Sequence, residues 1–375
     1  MSCADARGTL PEPQYAFAHI SIPVGVDACQ DVGPFADPRL LYLTNDGSRV
    51  AFGATDFKYQ GDVWYGDLMT GSVKIVYQAP QTTSSRTAIS SVQLGGGHLV
   101  WLEQHHSGPD IESSPVREWT INEMNVSSGT IKVVAHGLTP AFGGHALVND
   151  MRFDGQRIAM AETLAHGWQI EITDLSGVPR STVAASNAPF DLALVSDGLL
   201  YSTGIANSIG AVGNTRLWHW TPNGGSKQIG AAVFQINADA SLAAWVADPT
   251  GSRETTGNPQ EPRLYASTPP FTEPQALSPA VSPKGTQGID GMSCGSGAVA
   301  WWEIEDWNTI SQDVLTVWQP GWSSPVQVDT DGSESYRVSV QGGWLVWEEE
   351  FGRENSSERI RGVPLSLLAG QRQGS

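Results

Sequence analysis

The chain has 375 residues, with 21 basic residues against 39 acidic ones and a formal net charge of -18. A surface that acidic repels phosphate backbones, which excludes nucleic acid as a partner, and no apolar run approaches the length needed to span a bilayer. Charged residues are sparse while Gly, Pro and Trp are abundant, the profile of short strands joined by many turns.

The N-terminal residues Met1-Ser2-Cys3-Ala4-Asp5 lack a basic region followed by an apolar core, so an export signal has been removed or never existed. Cysteine is scarce. Cys3 and Cys29 pair in one reading and leave Cys294 over, all three are free thiols in another, and in a third Cys3 is the lipid-modified first residue of a mature lipoprotein. Tyr15 to Ile22 is an alternating apolar segment with no local partner.

The first complete unit follows. Arg39 to Leu43 reads as a strand, Asn45-Asp46-Gly47 as its turn, Ser48 to Gly53 as a second strand, Asp62 to Leu68 as a third and Val73 to Tyr77 as a fourth. The order recurs, with third strands at Glu118 to Met124, Gln169 to Leu175, Arg216 to Trp220, Arg263 to Ala266, Val314 to Trp318 and Arg359 to Val363. In each unit the second strand carries an apolar pair and then a large side chain, at Phe52, Trp101, Met160, Tyr201, Trp245, Trp301 and Trp347. A phrase repeated seven times at roughly forty to sixty residues predicts an all-β, seven-bladed propeller of four-stranded antiparallel blades, with the large residues packed between blades. The seventh unit lacks a fourth strand, and Tyr15 to Ile22 is expected to supply it and close the ring. One domain then covers 1–375, with 1–14 and 369–375 as tails.

Asp46-Gly47-Ser48-Arg49-Val50-Ala51-Phe52, followed by Asp62 to Leu68 and Thr70-Gly71, resembles the repeat of TolB-type, WD40-like bacterial propellers; Asp154-Gly155-Gln156-Arg157-Ile158-Ala159 is similar to it too. The Trp-x-Glu phrases at Trp101, Trp301 and Trp347 are similar to repeats of bacterial cell-surface TolB-like propellers. The resemblance implies an exported binding or scaffolding protein and carries over no catalytic residue.

Two residues past the large column stand Glu103, Glu162, Glu303 and Glu349, with Asp56 and Asp248 near the equivalent place. They end second strands, so they gather at one rim, where long loops leave. Such a crown could bind Ca²⁺, whose hard oxygen ligands it supplies, or each carboxylate could serve its own loop. His105, His106, Asp306 and Trp307 join them as candidate binding residues on the long loops. No cofactor and no catalytic set is indicated. Gly291-Met292-Ser293-Cys294-Gly295 fits G-x-S-x-G but runs through a strand into a hairpin rather than a strand-to-helix elbow, and no stretch remains for an α/β-hydrolase domain beside the propeller. The histidines lack metal-ligand spacing, Asp329 to Glu334 lacks the spacing of a calcium loop, and Asn125 and Asn355 fit the glycosylation pattern. The function expected is a non-enzymatic, monomeric, exported or cell-surface propeller that recognises a protein or glycan through the long-loop rim. A polysaccharide-active enzyme with its site at the central pore is the alternative.

Overall fold

Glycine turns with positive φ set the blades. Gly47, Gly96, Gly97, Gly155, Gly297, Gly342 and Gly343 all adopt left-handed φ values between +59° and +95° in the hairpins that join first and second strands. The computed structural model describes residues 18–21, 39–55, 61–80, 86–108, 114–138, 150–164, 167–185, 187, 189–206, 212–248, 262–278, 288–304, 314–323, 325–328, 337–351 and 357–370.

They form seven four-stranded antiparallel sheets, each a meander running outward from an inner strand. Blade 1 comprises Arg39–Asp46, Arg49–Thr55, Asp62–Asp67 and Ser72–Gln78. Blade 2 comprises Arg86–Gly95, His98–His106, Val116–Asn125 and Ile131–Leu138. Blade 3 comprises Met151–Phe153, Arg157–Leu164, Gly167–Asp174 and Pro179–Ala185. Blade 4 comprises Pro189–Val195, Gly198–Ala206, Val212–Thr221 and Gly225–Ala231. Blade 5 comprises Val233–Ala238, Ala243–Ala247, Arg263–Ser267 and Gln275–Ala276. Blade 6 comprises Gly288–Gly295, Ala298–Ile304, Val314–Trp318 and Val326–Val328. Blade 7 comprises Val338–Gln341, Trp344–Phe351 and Ser357–Pro364, and its outer strand is Ala18–Ser21, paired from Ala18 opposite Gly362 to Ser21 opposite Arg359.

Each blade is buried on both faces, which is why the second strands read as continuous apolar runs rather than alternating ones. Leu99 and Trp101 cluster with Ala51 and Val63 of blade 1, while Val100 and Leu102 cluster with Met160 of blade 3. The pattern holds around the ring. Tyr201 clusters with blade 3, Trp245 with blade 4, Trp301 with blade 5, Trp347 with blade 6, and Phe52 with Val346 and Ile360 of blade 7. All seven large residues are buried, so the column is the packing between neighbouring blades. Small residues beside them, such as Ala51, Ala159, Ala244 and Ala300, make room for the large side chain of the next blade.

The inner turns of blades 7 and 1 are locked together. Asn45 is fully buried, its side-chain amide donates to Gln341 O at 2.8 Å, and the Ser339 hydroxyl donates to Asn45 Oδ1 at 2.7 Å. Gly342 approaches so closely that a Cβ there would lie 2.0 Å from Gly47 N. Two features differ from the sequence reading. Leu365–Gly370 forms a short helix that runs into the expected tail at 369–375, because Leu365 and Leu368 bury their side chains between blades 6 and 7. Inner strands also bulge against their second strands in blades 1, 2, 4, 5 and 6, just past the large column. A bulge adds an unpaired residue and bends the strand, which re-aims the side chains that follow.

Candidate functional site: the rim and the axial cavity

Three of the rim carboxylates, Glu103, Glu162 and Glu303, accept hydrogen bonds within their own blades. Glu103 is 3% exposed and accepts from Trp101 Nε1 at 3.0 Å and from Asn122 Nδ2 at 2.7 Å. Glu303 accepts from Trp301 Nε1 at 2.8 Å. The Trp-x-Glu phrase is thereby explained: residues two apart on a strand share a face, so the Glu satisfies the indole N–H that burial would otherwise strand. Glu162 accepts from Gln169 Nε2 at 2.8 Å on the neighbouring strand. Burial raises the proton affinity of nearby Glu171, and the Glu162 charge adds to it. Burial likewise raises the Tyr77 phenol, helped by its hydrogen bond to Glu103.

Among the described candidates, His105 approaches Glu103. Its Nε2 lies 3.8 Å from Glu103 Oε2, while its ring nitrogens face the hydroxyls of Thr87 at 3.0 Å and Thr120 at 3.3 Å. His106 is buried with Nδ1 2.9 Å from Ser114 O. Glu349 ends up on the second strand of blade 7 opposite Arg359, in the place the repeat assigns it. Asp56, Asp306 and Trp307 lie outside the described residues, as do Cys3, Cys29, Asp329 to Glu334 and Asn355. Among the described residues no group of three or more His, Cys, Asp and Glu is placed to hold a metal ion. Ser293 of the G-x-S-x-G match is buried on an inner strand, where its hydroxyl accepts from Val340 N at 2.9 Å.

The inner strands supply what the rim does not. Counting from the pairs that face the large column, such as Val92 opposite Trp101 and Met151 opposite Met160, the next inner residue of each blade faces the following blade beside the axis, as where Leu94 N donates to Thr44 Oγ1 and Cys294 N to Asn237 Oδ1, each at 3.3 Å. These residues are Thr44, Gln93, Arg152, Ala193, Asn237, Ser293 and Ser339, one per blade, and all line an axial cavity of about 780 Å³. The layer two residues nearer the bulged rim includes Tyr42, Asp150, Asp191 and Arg337.

Arg152 ties the two layers together across three blades. Its guanidinium pairs with Asp150 at 2.6 Å and with Asp191 at 3.1 Å, and its Nε donates to Leu192 O at 3.0 Å. Leu192 N donates to Asp150 Oδ2 at 2.8 Å, and Ile236 N donates to Asp191 Oδ2. Fully ionised, the group carries two negative charges against one positive charge in a buried place. Burial raises the proton affinity of both carboxyls, against the pull of Arg152; the Asp150 charge adds to it at Asp191, which is pushed up to about 8. The pair therefore holds a proton near neutral pH. Burial also raises Tyr42, which stands on the cavity wall with φ 60° where its strand bulges, within the fields of Arg337 and Asp150. Arg337 is paired in turn with Glu348 at 3.1 Å. No rule of spacing singles out Asp150, Arg152 and Asp191. Their signal is a charged residue between apolar neighbours on an inner strand, as in Met151-Arg152-Phe153 and Phe190-Asp191-Leu192.

The sequence matches no protein-family model and no curated protein. Solved structures do resemble it. The acylaminoacyl peptidase of Pyrococcus horikoshii superposes with a TM-score of 0.60 at 10% identity, covering 88% of this chain and 52% of that one. The β-propeller domain of the Trilobed protease from Pyrococcus furiosus, described as having an open velcro topology, gives 0.57 at 10% identity and covers 88% and 96%. A puromycin-hydrolyzing peptidase of Mycobacterium tuberculosis gives 0.52 at 14% identity and covers 88% and 51%. The chain spans about half the length of these two complete peptidases. It is an all-β, seven-bladed propeller, and identities this low establish the fold alone.

These likenesses correct the expected function. The solved structures that this ring resembles include peptidases and the propeller domain of a protease, together with human WBSCR16, and none of these is the glycan-binding scaffold or polysaccharide enzyme expected. Glu103 and Glu303, expected among the binding residues, each accept from the indole of their own strand. No helix among the described residues is long and apolar enough to cross a membrane.

Proposed function

We propose that this chain is a propeller module of peptidase type, which receives peptide in its axial cavity while a serine hydrolase unit performs the hydrolysis. The observation that carries the reading is the axial cavity: about 780 Å³, within the roughly 300–1,000 Å³ usual for ligand sites, at the hub of a ring whose likenesses include peptidase propellers. Its wall suits a peptide backbone, because Gln93, Gln156 and Gln341 bring side-chain amides, which both donate and accept without a net charge. Kinship of the blades with TolB-type repeats is part of the same proposal. It rests on the Asp46 to Phe52 phrase and concerns ancestry, not chemistry.

Fluorescence anisotropy with dye-labelled neutral oligopeptides tests it. Saturable binding is expected, lost when Gln93→Trp narrows the cavity while circular dichroism stays unchanged. Absence of binding, or binding indifferent to that substitution, overturns the reading.

A further inference from the structure

On the side of the short hairpins, away from the rim, a groove of about 650 Å³ opens between blades 1 and 2. Its cause lies in the strand alternation. Ala51 faces blade 2 in the core, so Arg49, two residues earlier on the same strand, faces the same way beyond the end of the apolar packing. Tyr65 lies opposite Ala51, and Lys74 lies opposite Tyr65, which brings Lys74 to that face as well. Blade 2 contributes His98 and the turn residues Asn125 to Ser127.

Two cations mark this groove in an acidic chain, with Asp46 and Asp67 opposite Arg49 on the neighbouring strands. Arg49 and Lys74 are exposed, and among the described residues neither has an ion-pair partner, although the chain carries 39 acidic residues against 21 basic ones. The one acidic residue on the lining, Asp67, accepts from the Ser48 hydroxyl and from Met69 N, each at 2.9 Å. Glu123 behind it lies 2.6 Å from His98 Nδ1 and 3.5 Å from Lys132 Nζ. Burial raises the Tyr65 phenol, which stays a donor.

From this placement we propose that the groove binds an extended acidic peptide segment, with Arg49 and Lys74 each taking one carboxylate. The spacing decides against a single small anion. Arg49 and Lys74 are two strands apart and two residues out of step, so their backbone positions stand roughly 11–12 Å from one another. An extended segment presents carboxylates that far apart when they are three or four residues from each other, at about 3.3 Å per residue. Val73, Val126 and the Tyr65 ring supply apolar contact between the two charges. This proposal does not depend on the peptidase reading, since the groove and the axial cavity share no lining residue.

A dye-labelled peptide carrying two glutamates four residues apart in a Ser/Val background provides the assay, by anisotropy at low and high salt. Saturable binding that weakens with salt is expected, and each of Arg49→Glu and Lys74→Glu should weaken it roughly tenfold. Both side chains are exposed, so near-UV circular dichroism should not change; Arg49→Gln and Lys74→Gln are milder versions of the same test. The idea is overturned if the peptide does not bind, if the charge reversals leave binding unchanged, if adjacent glutamates bind as tightly, or if inorganic phosphate displaces the peptide at equal concentration.

Discussion

Replacing Asp191 by asparagine should stabilise the propeller at alkaline pH, although the native side chain is paired with an arginine. Asp191 in the folded chain takes up its proton at about 8, whereas an aspartate in an unfolded chain does so at about 3.9. Between those values the folded state binds more protons than the unfolded one, so stability falls as pH rises and levels off once Asp191 has ionised. The slope has a ceiling of about 1.4 kcal/mol per pH unit for one proton, and from pH 6 to pH 8 the native chain should lose about 2 kcal/mol through this group. Asp191→Asn fixes the neutral form and keeps an oxygen to accept from Ile236 N, while Asp150 still neutralises Arg152. Urea titrations at pH 6, 7 and 8, followed through the fluorescence of the 14 tryptophans, measure the difference between the two proteins. Arg152, Tyr42 and the Arg337–Glu348 pair remain in both, so the difference reports the proton that Asp191 shares with Asp150. Parallel stability curves, or a variant that loses stability faster as pH rises, would refute the shared-proton account.

Arg152→Met should be far worse than Asp191→Asn, costing about 3–5 kcal/mol by urea titration, because it leaves both carboxyls buried without a cation. Glu103→Ala strands Trp101 Nε1 and Asn122 Nδ2 and should cost about 2–3 kcal/mol in the same assay; Glu103→Gln retains an acceptor and should cost about half of that. Gly342→Ala drives a Cβ to within 2.0 Å of Gly47 N and should lower the melting temperature much more than Gly343→Ala. The latter bears only the strain of its left-handed φ, about 1–2 kcal/mol, with nothing within 4 Å. Deleting residues 1–22 removes the strand Ala18–Ser21 and bares the edge of Ser357–Pro364, and light scattering should then detect aggregation well below the native melting temperature.

The propeller is legible because each blade states the same physical requirement in short range. A two-sided sheet needs a continuous apolar second strand, a small-then-large alternation to interlock with its neighbours, and a left-handed turn that glycine supplies. Val50-Ala51-Phe52 after Gly47 contains all of it, and Leu99-Val100-Trp101 after Gly97 keeps the turn, the apolar run and the large residue. What the sequence conceals depends on partners far along the chain. The Leu365–Gly370 helix exists because Leu365 and Leu368, three residues apart, find a gap between blades 6 and 7. The bulges likewise leave no mark of their own, since Tyr42 in blade 1 and Ser90 in blade 2 are unrelated in type.

The candidate site was harder to see for a related reason: repetition identifies what seven blades share, and function resides where they differ. Glu103 and Glu303 drew attention because they recur, yet recurrence is what a structural bond such as the indole–carboxylate pair produces. The informative positions are breaks in equivalent layers. In the axial layer six blades place Thr, Gln, Ala, Asn or Ser, and only blade 3 places a cation, Arg152. The flanking layer answers with Asp150 and Asp191 on that side of the ring alone. Arg49 and Lys74 break the pattern in the same sense, as cations left without carboxylate partners among the described residues of an acidic chain. Sorting each blade position by its register to the large column turns those exceptions into coordinates around the ring. They single out the axis near blades 3 to 5 and the groove between blades 1 and 2 as the places where the two proposed peptide sites are to be tested.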